Sequence, residues 1–551
     1  MISDAAAGPA PRRHDVAILG NHFATALLAA ILARSGVKTV LVPTEADPGL
    51  PAGETTVPYT AELFFLLASK FDVPEIGTLA MSDTLPDSIR SGCGIKRNLG
   101  FLYHRRGENQ RPAEALQFNV PAEHSEWHVY RPDVEAYASD LAAAKGAVVL
   151  SVNARGGKVR VGADGVSIDL ADGRTVQAEY LVNGSADAQM LPAGVHGPAH
   201  ERAKHRAHLL SAQLTDVLPF ESVTPLRRYR QASPWSQGTL LHVFDGGWVQ
   251  VVPFGIHDRP GHARCSVSVS LDPARADLNA APSALFRRLV QRFPDLRRQF
   301  ADATVVRPWQ AHENWPAIAA DCAGPRWFLF DRAAGRHDLL LSRDITMSLE
   351  LVHAAASGLL RMAKSNDWGG DQMKEIGEFE FSLFEFHDRF VAAGRIASGN
   401  FMLWNAYLRV WLLWSILSAL SLKRARMDGE ITGSSAGWSH LEQFGQRQHW
   451  YQVPAGLPDL LIETLHEIEN VKQGMPAAAA ADRIFSRLRH EPFVPPLYRF
   501  GDPEARYYYF TMLRRLRMLL WVKTTAPPDF RRLLTPENVT ARPPSSAPSH
   551  A

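Results

Sequence analysis

Apolar and polar positions alternate along this chain in three regimes. Asp15–Gly20 (DVAILG) is a short apolar run closed by glycine, the pattern of a buried strand. Ala24–Ser35 is rich in Ala and Leu at helical spacing and stops at Gly36. Val37–Val42 is a second buried strand, so the first 42 residues predict a strand–helix–strand unit that opens a dinucleotide-binding fold. Strict alternation then appears at Lys158–Val161, Val166–Leu170 and Thr175–Val182, punctuated by Asp164-Gly165 and Asp172-Gly173. Asp-Gly between such runs predicts hairpins. Leu240–Phe244 and Trp248–Phe254 flank Asp245-Gly246-Gly247, and Ala263–Leu271 alternates again, predicting an antiparallel sheet able to roof a substrate cavity. Beyond residue 346 the period becomes helical: Met347–Ala363, Phe379–Ala393, Asn400–Met427, Leu457–Val471 and Arg506–Val522.

This order predicts an α/β protein with a Rossmann-type, FAD-monooxygenase-like domain over 14–345, the antiparallel sheet inserted in it, and a helical region over 346–535. Tails are expected at 1–13 and 536–551. Lys+Arg 59 against Asp+Glu 57 gives no reason to expect a nucleic-acid partner. Cys93, Cys265 and Cys322 are too few for a disulfide framework and too scattered for zinc, which points to a reducing, cytoplasmic setting. Arg12-Arg13 precedes an apolar run that Asn21-His22 interrupts, so no export signal is expected. The thirteen apolar residues Val410–Leu422 fall short of the ~20 a bilayer requires; a buried helix is expected rather than a membrane partner.

Three stretches in order resemble the flavin-dependent halogenases. They are Gly53-Glu54-Thr55-Thr56-Val57-Pro58, Gly94-Ile95-Lys96-Arg97-Asn98-Leu99-Gly100-Phe101 and Gly247-Trp248-Val249-Gln250-Val251-Val252-Pro253-Phe254. The third is similar to the family's Trp-x-Trp-x-Ile-Pro signature, with Gln250 at the second Trp. The likeness, strongest to the pyrrole-chlorinating type, runs from about Asp15 to Leu534. It implies an oxidoreductase in specialised metabolism that uses reduced FAD from a separate flavin reductase, and oxygen, to make hypohalous acid. A tunnel lysine then halogenates a small aromatic or pyrrole-like ring. No metal is implied. By the resemblance Lys96 is that lysine, Glu54 an acid near the tunnel mouth, Trp248 and Pro253 the tunnel wall, and Ser342 part of the isoalloxazine and halide segment. Cofactor contacts are implied for Gly20, Ala24, Glu45, Arg131 and Gly324. A homodimer stays open.

The same comparison exposes losses on the cofactor side. The Gly-x-Gly-x-x-Gly loop reads Gly20-Asn21-His22-Phe23-Ala24-Thr25, keeping one glycine. The second glycine lets the backbone approach pyrophosphate and the third lets helix and strand pack closely. The later elements read Asn183-Gly184-Ser185, Gly324-Pro325 and Asp338-Leu339-Leu340-Leu341-Ser342-Arg343-Asp344 where the family has an Asp, an Asp, and a Pro with a closing Gly. Three functions therefore compete: a halogenase with an altered FAD site, a flavin-free enzyme reusing Lys96 and Glu54, and a non-catalytic accessory protein. Outside the motifs, His196, His200, His205 and His208 lie among Arg202, Lys204 and Arg206, which predicts a basic surface segment; His124 and His128 are expected in a loop.

Overall fold

The computed structural model describes residues 13–534 apart from 45–53, 121–125, 225–228, 256–263, 276–279, 433–434, 446–449 and 510. Its first sheet grows from the predicted unit. His14–Leu19 pairs in parallel with Thr39–Val42 on one side and Thr175–Asn183 on the other, and the order continues to Trp327–Leu329 and Val148–Val149 at the two flanks. The central strands His14–Leu19 and Thr39–Val42 are mostly apolar and buried because both faces are covered there, which parallel sheets require. The Phe23–Arg34 helix, buried over ten consecutive residues, covers one face. The predicted hairpin strands, observed as Ala154–Gly162 and Gly165–Leu170, extend antiparallel from Thr175–Asn183.

The second sheet is mixed: the expected antiparallel strands 264–271, 247–253 and 238–244 form its middle, and 98–103 joins 238–244 in parallel. Its strands run in the order 304–315, 207–215, 264–271, 247–253, 238–244, 98–103, 115–119 and 507–508. A small third sheet joins the two halves: Trp127–Val129 pairs with Glu54–Thr55 on one side and Gly94–Ile95 on the other. His128 therefore lies on a strand, not in the expected loop; His124 is outside the described residues. The expectation of a basic surface segment also fails in part. His205 and His208 are buried, and His205 Nδ1 sits 2.7 Å from the Asp388 carboxylate, a partner 183 residues away.

The helical region packs against both sheets through Asp344–Ser365, Asp371–Ala397, Phe401–Thr432 and Leu457–Lys472. Phe401–Thr432 is long and apolar enough to cross a membrane, and 78% of its most apolar window is buried inside the protein. Arg506–Val522, expected to be one helix, is not. Tyr507–Tyr508 is a strand paired with Gln117 and Phe118, and the helix begins only at Met512. The pairing is enforced by Arg409, which is fully buried in the long helix. Its Nη1 donates to the carbonyls of Arg499, Phe500 and Asp502 at 3.4, 3.4 and 3.1 Å. Asn405 holds the Arg409 Nε at 3.0 Å and donates to the Pro503 carbonyl at 3.0 Å. Arg409→Leu should therefore strand several buried carbonyls and cost about 3 kcal/mol. A lowered urea midpoint together with faster proteolysis around residues 499–509 would show it; an unchanged midpoint would refute the clamp.

Candidate active site

Four strand ends of the parallel sheet meet at the edge where doubly wound folds bind their ligands. They lead into Gly20-Asn21-His22, Pro43-Thr44, Gly184-Ser185 and Phe330-Asp331. Gly20 turns with φ +86, and an added Cβ would press on Gly184 and Ser185, so this first glycine is sterically required. The rest of the loop is closed. The buried His22 ring folds inward, and its Nε2 donates to the Gly184 carbonyl at 2.9 Å. Its Nδ1 lies 3.7 Å from the Asp331 carboxylate, across the crevice. Thr25 packs so closely that a Cβ on Gly184 would collide with its methyl group and with the His22 ring. Thr25 Oγ1 also accepts the His22 backbone N–H at 3.0 Å, using a donor that a helix N-terminus could otherwise offer to an anion. Burial and nearby Arg332 hold the imidazole well below its ordinary pKa, so it is neutral. Asp331, buried and near Asp344, is pushed up. Among the described residues, the His22, Thr25 and Asp331 side chains thus occupy the space between the first loop and the end of the last parallel strand; none of these three is cationic, and nearby Arg332 pairs with Glu135. The residues present do not fit a dinucleotide pyrophosphate.

Beside this crevice lies a buried charge cluster. Arg131, at the start of the Arg131–Ala144 helix, donates from Nε to Glu54 Oε1 at 2.6 Å and from Nη2 to Asp344. His337 Nε2 lies 3.2 Å from the other Asp344 oxygen. Asp344 also opens the Asp344–Ser365 helix, whose N-terminus favours an anion. Arg131, His337 and the helix end make Asp344 the better anion, and its carboxyl is held well below the usual range despite burial. Glu54 faces Asp344 and is buried, so its carboxyl is pushed well above that range and keeps the proton. Arg343, next to Asp344, donates to Glu350 at 2.9 Å, and Tyr59 donates to the same carboxylate at 2.7 Å.

Lys96 follows the Gly94–Ile95 strand and is 1% exposed. The fold buries it under the small sheet. Nζ donates to the Thr56 carbonyl at 2.7 Å and pairs with Glu126 at 2.6 Å. Burial raises the Glu126 carboxyl while Lys96 opposes the rise. His128 donates from Nδ1 to the Pro253 carbonyl at 2.7 Å, which leaves Nε2 to accept from the Thr239 hydroxyl at 3.0 Å. Burial and then Lys96 push this histidine down to about 3. Trp248, on the Gly247–Pro253 strand, stacks on Trp404 at 6.4 Å and carries Arg395 over its face at 4.2 Å. An open cleft of about 1170 Å³ lies elsewhere, between the Asp371–Ala397 and Leu457–Lys472 helices, and its lining includes neither Lys96 nor Glu54.

Set against known proteins, the chain is 29% identical to tetracycline 7-halogenase of Kitasatospora aureofaciens over 533 residues, 95% of each chain. It is 27% identical to monodechloroaminopyrrolnitrin halogenase PrnC of Pseudomonas fluorescens over 541 residues, 94% of this chain and 93% of that one. No family model matches it. Among solved structures, halogenase PltM superposes with a TM-score of 0.82 at 25% identity, covering 90% of this chain and all of PltM. A mutant of PltM in complex with FAD matches with the same TM-score and identity, covering 91% of this chain. The fold is that of the FAD-dependent halogenases, of FAD-monooxygenase-like α/β architecture. Along nearly its whole length the chain is similar to flavin-dependent halogenases.

The structure distributes the sequence-derived residues unevenly. Gly20 and Ala24 lie at the crevice, Ala24 within the buried face of the Phe23–Arg34 helix. Arg131 is there too, but its guanidinium is committed to Glu54 and Asp344. Ser342 lies beside them in left-handed backbone, φ 60, directly after Leu341 at φ 64. Glu45 is outside the described residues. Gly324 does not reach the crevice. It sits on the Ala323–Gly324 strand, paired with Trp327 at the opposite end of the last parallel strand, and packs under the Trp327 indole. Asp331, just after the last parallel strand, is the acid at the end facing the crevice. The signal was legible as the apolar run Trp327–Phe330 closed by Asp. Lys96 and Glu54, expected to share one tunnel, have different partners. Glu126 was missed because its only local cue is one carboxylate before Trp127.

The protonation assignment is testable. Glu54→Gln replaces a neutral acid by a neutral isostere and should cost under about 1 kcal/mol at pH 7, whereas Arg131→Ala, which leaves Asp344 buried and unpaired, should cost about 3–5 kcal/mol. Because Glu54 is raised in the fold, its stability contribution is complete below the unfolded carboxylate pKa and lost as pH rises through the folded value. Urea midpoints across that window should slope less in Glu54→Gln than in the parent; equal slopes would assign the proton elsewhere.

Proposed function

We propose that this protein is a flavin-independent member of the halogenase family that handles a small aromatic or pyrrole-like molecule with Lys96 and Glu126 as a buried proton-transfer pair. The observation that carries the reading is the His22 ring bonded to the Gly184 carbonyl, where a pyrophosphate would have to lie. A phosphate entering there would displace His22, break the Thr25 cap and meet Asp331, with Asp344 nearby.

The lysine half supports chemistry of its own. Thr56 and Glu126 account for two of the three N–H donors of Lys96, and among the described residues the third has no assigned partner, leaving it for a ligand acceptor. Glu126 accepts from Lys96 and can take its proton when the ammonium gives one up. Burial raises the Glu126 carboxyl, which makes it a better proton acceptor. His128, neutral and held on both nitrogens, fixes the Pro253 strand against the Lys96 loop. Trp248, under Arg395, supplies a rigid apolar wall in the neighbouring sheet. A second reading, FAD-dependent halogenation of an electron-rich ring with a flavin reductase as partner, is favoured by Lys96 and by likeness along the whole chain to halogenases. It requires His22 to leave Gly184.

Flavin titration separates the two. The purified full chain should be colourless and bind FAD more weakly than about 100 μM, under about 5.5 kcal/mol. His22→Gly with Thr25→Gly should tighten binding at least about tenfold, ~1.4 kcal/mol. A yellow preparation with stoichiometric flavin would overturn the flavin-independent reading and restore halogenation. Lys96→Gln tests what both readings share: metabolite profiles of cells carrying it should lack the parent's product. Normal product at the normal rate would remove both readings and leave an accessory role.

A further inference from the structure

Most large apolar side chains of this protein are buried, but one short helix reverses the rule. On Met512–Thr524 (MLRRLRMLLWVKT), Met512 is 72% exposed, Leu513 58%, Leu516 56%, Leu519 57% and Leu520 63%. At ~100° per residue these five side chains fall in one arc of about 120°. The opposite face, with Met518, Trp521 and Val522, packs inward, and Trp521 meets Phe530 edge to face at 4.7 Å. The helix is not a frayed end laid on solvent, since Thr511 caps it by accepting the Arg514 N–H. It is a docked helix with an apolar ridge turned outward.

Charge selects what covers the ridge. Arg515 and Arg517 flank the arc on its two sides, Lys523 closes its C-terminal end, and residues 512–524 contain no acid. A second copy laid along the same ridge would bring these flanking arginines against their own kind. The ridge is convex and about 12 Å long, and a fluid surface takes such a shape without a matching groove. An apolar stripe with cationic edges has the chemistry of a helix that lies in a lipid interface, leucines among the acyl chains and arginines at anionic headgroups. We propose that Met512–Thr524 docks this protein onto an anionic lipid surface. The expectation of no membrane partner came from Val410–Leu422, which is interior; the exposed helix is a different segment.

Co-sedimentation with vesicles tests this on the full chain. Vesicles of equal parts phosphatidylcholine and phosphatidylglycerol should retain at least tenfold more protein than phosphatidylcholine alone, and added salt should release it. Leu516→Asp with Leu520→Asp should abolish retention. Arg515→Gln with Arg517→Gln, conservative at exposed positions, should lower it to the phosphatidylcholine level, with unchanged thermal melting as the control for folding. Equal retention on both vesicles, or none on either, would overturn the proposal. So would a lipid-free dimer that Leu516→Asp with Leu520→Asp dissociates, which would give the ridge to a second copy.

Discussion

The architecture depends on one buried guanidinium. Arg131 joins Glu54 from the small bridging sheet to Asp344 at the head of the first C-terminal helix, so one side chain ties the dinucleotide-type layer to the helical region. Burying three ionisable groups is expensive, and an apolar core of the same volume would serve stability as well or better. Here the cost is reduced by placing the proton on Glu54, leaving a single anion opposite a single cation, and by giving that anion a helix N-terminus. Once Arg131 is so committed, it is not available to a cofactor phosphate.

The same economy explains His22. A buried loop with orphan donors must satisfy them internally or with a ligand. This loop does it internally: Thr25 accepts the His22 N–H, and the imidazole donates to Gly184. In a dinucleotide-binding loop those positions are glycines because the ligand completes the hydrogen bonds. Replacing glycines by side chains that bond to the loop itself moves the site from ligand-completed to self-completed. The lysine half has not moved that way. Lys96 and Glu126 form a charged pair inside the fold, where a hydrophobic pair would pack at lower cost.

How much of this was legible beforehand depends on whether the signal is local. The strand–helix–strand opening, the Asp-Gly hairpins and the change to helical period are local, because burial on both faces, on one face or along a stripe imposes a distinct spacing on the chain. Lys96, Trp248 and Pro253 were legible because they sit in contiguous motifs, and the altered glycine loop because backbone approach to a phosphate tolerates few residue types.

Partnership between distant residues was not legible. Nothing near Lys96 in sequence says that Glu126 will neutralise it, or near Arg131 that Asp344, 213 positions later, will share it with Glu54. The strand at Tyr507–Tyr508 read as helix because its apolar spacing allows either, and only pairing with Gln117 and Phe118 beneath the Arg409 clamp decided it. Asp331 and Gly324 lie only seven positions apart in sequence, yet antiparallel pairing sets Gly324 beside Trp327 at one end of the last parallel strand while Asp331 follows its other end. The sequence by itself determined the layers and the chemistry each could carry, because local periodicity follows from burial. Only the tertiary structure decided which charges meet and which end of a strand faces the crevice, because those depend on long-range register and on desolvation that no short window of residues encodes.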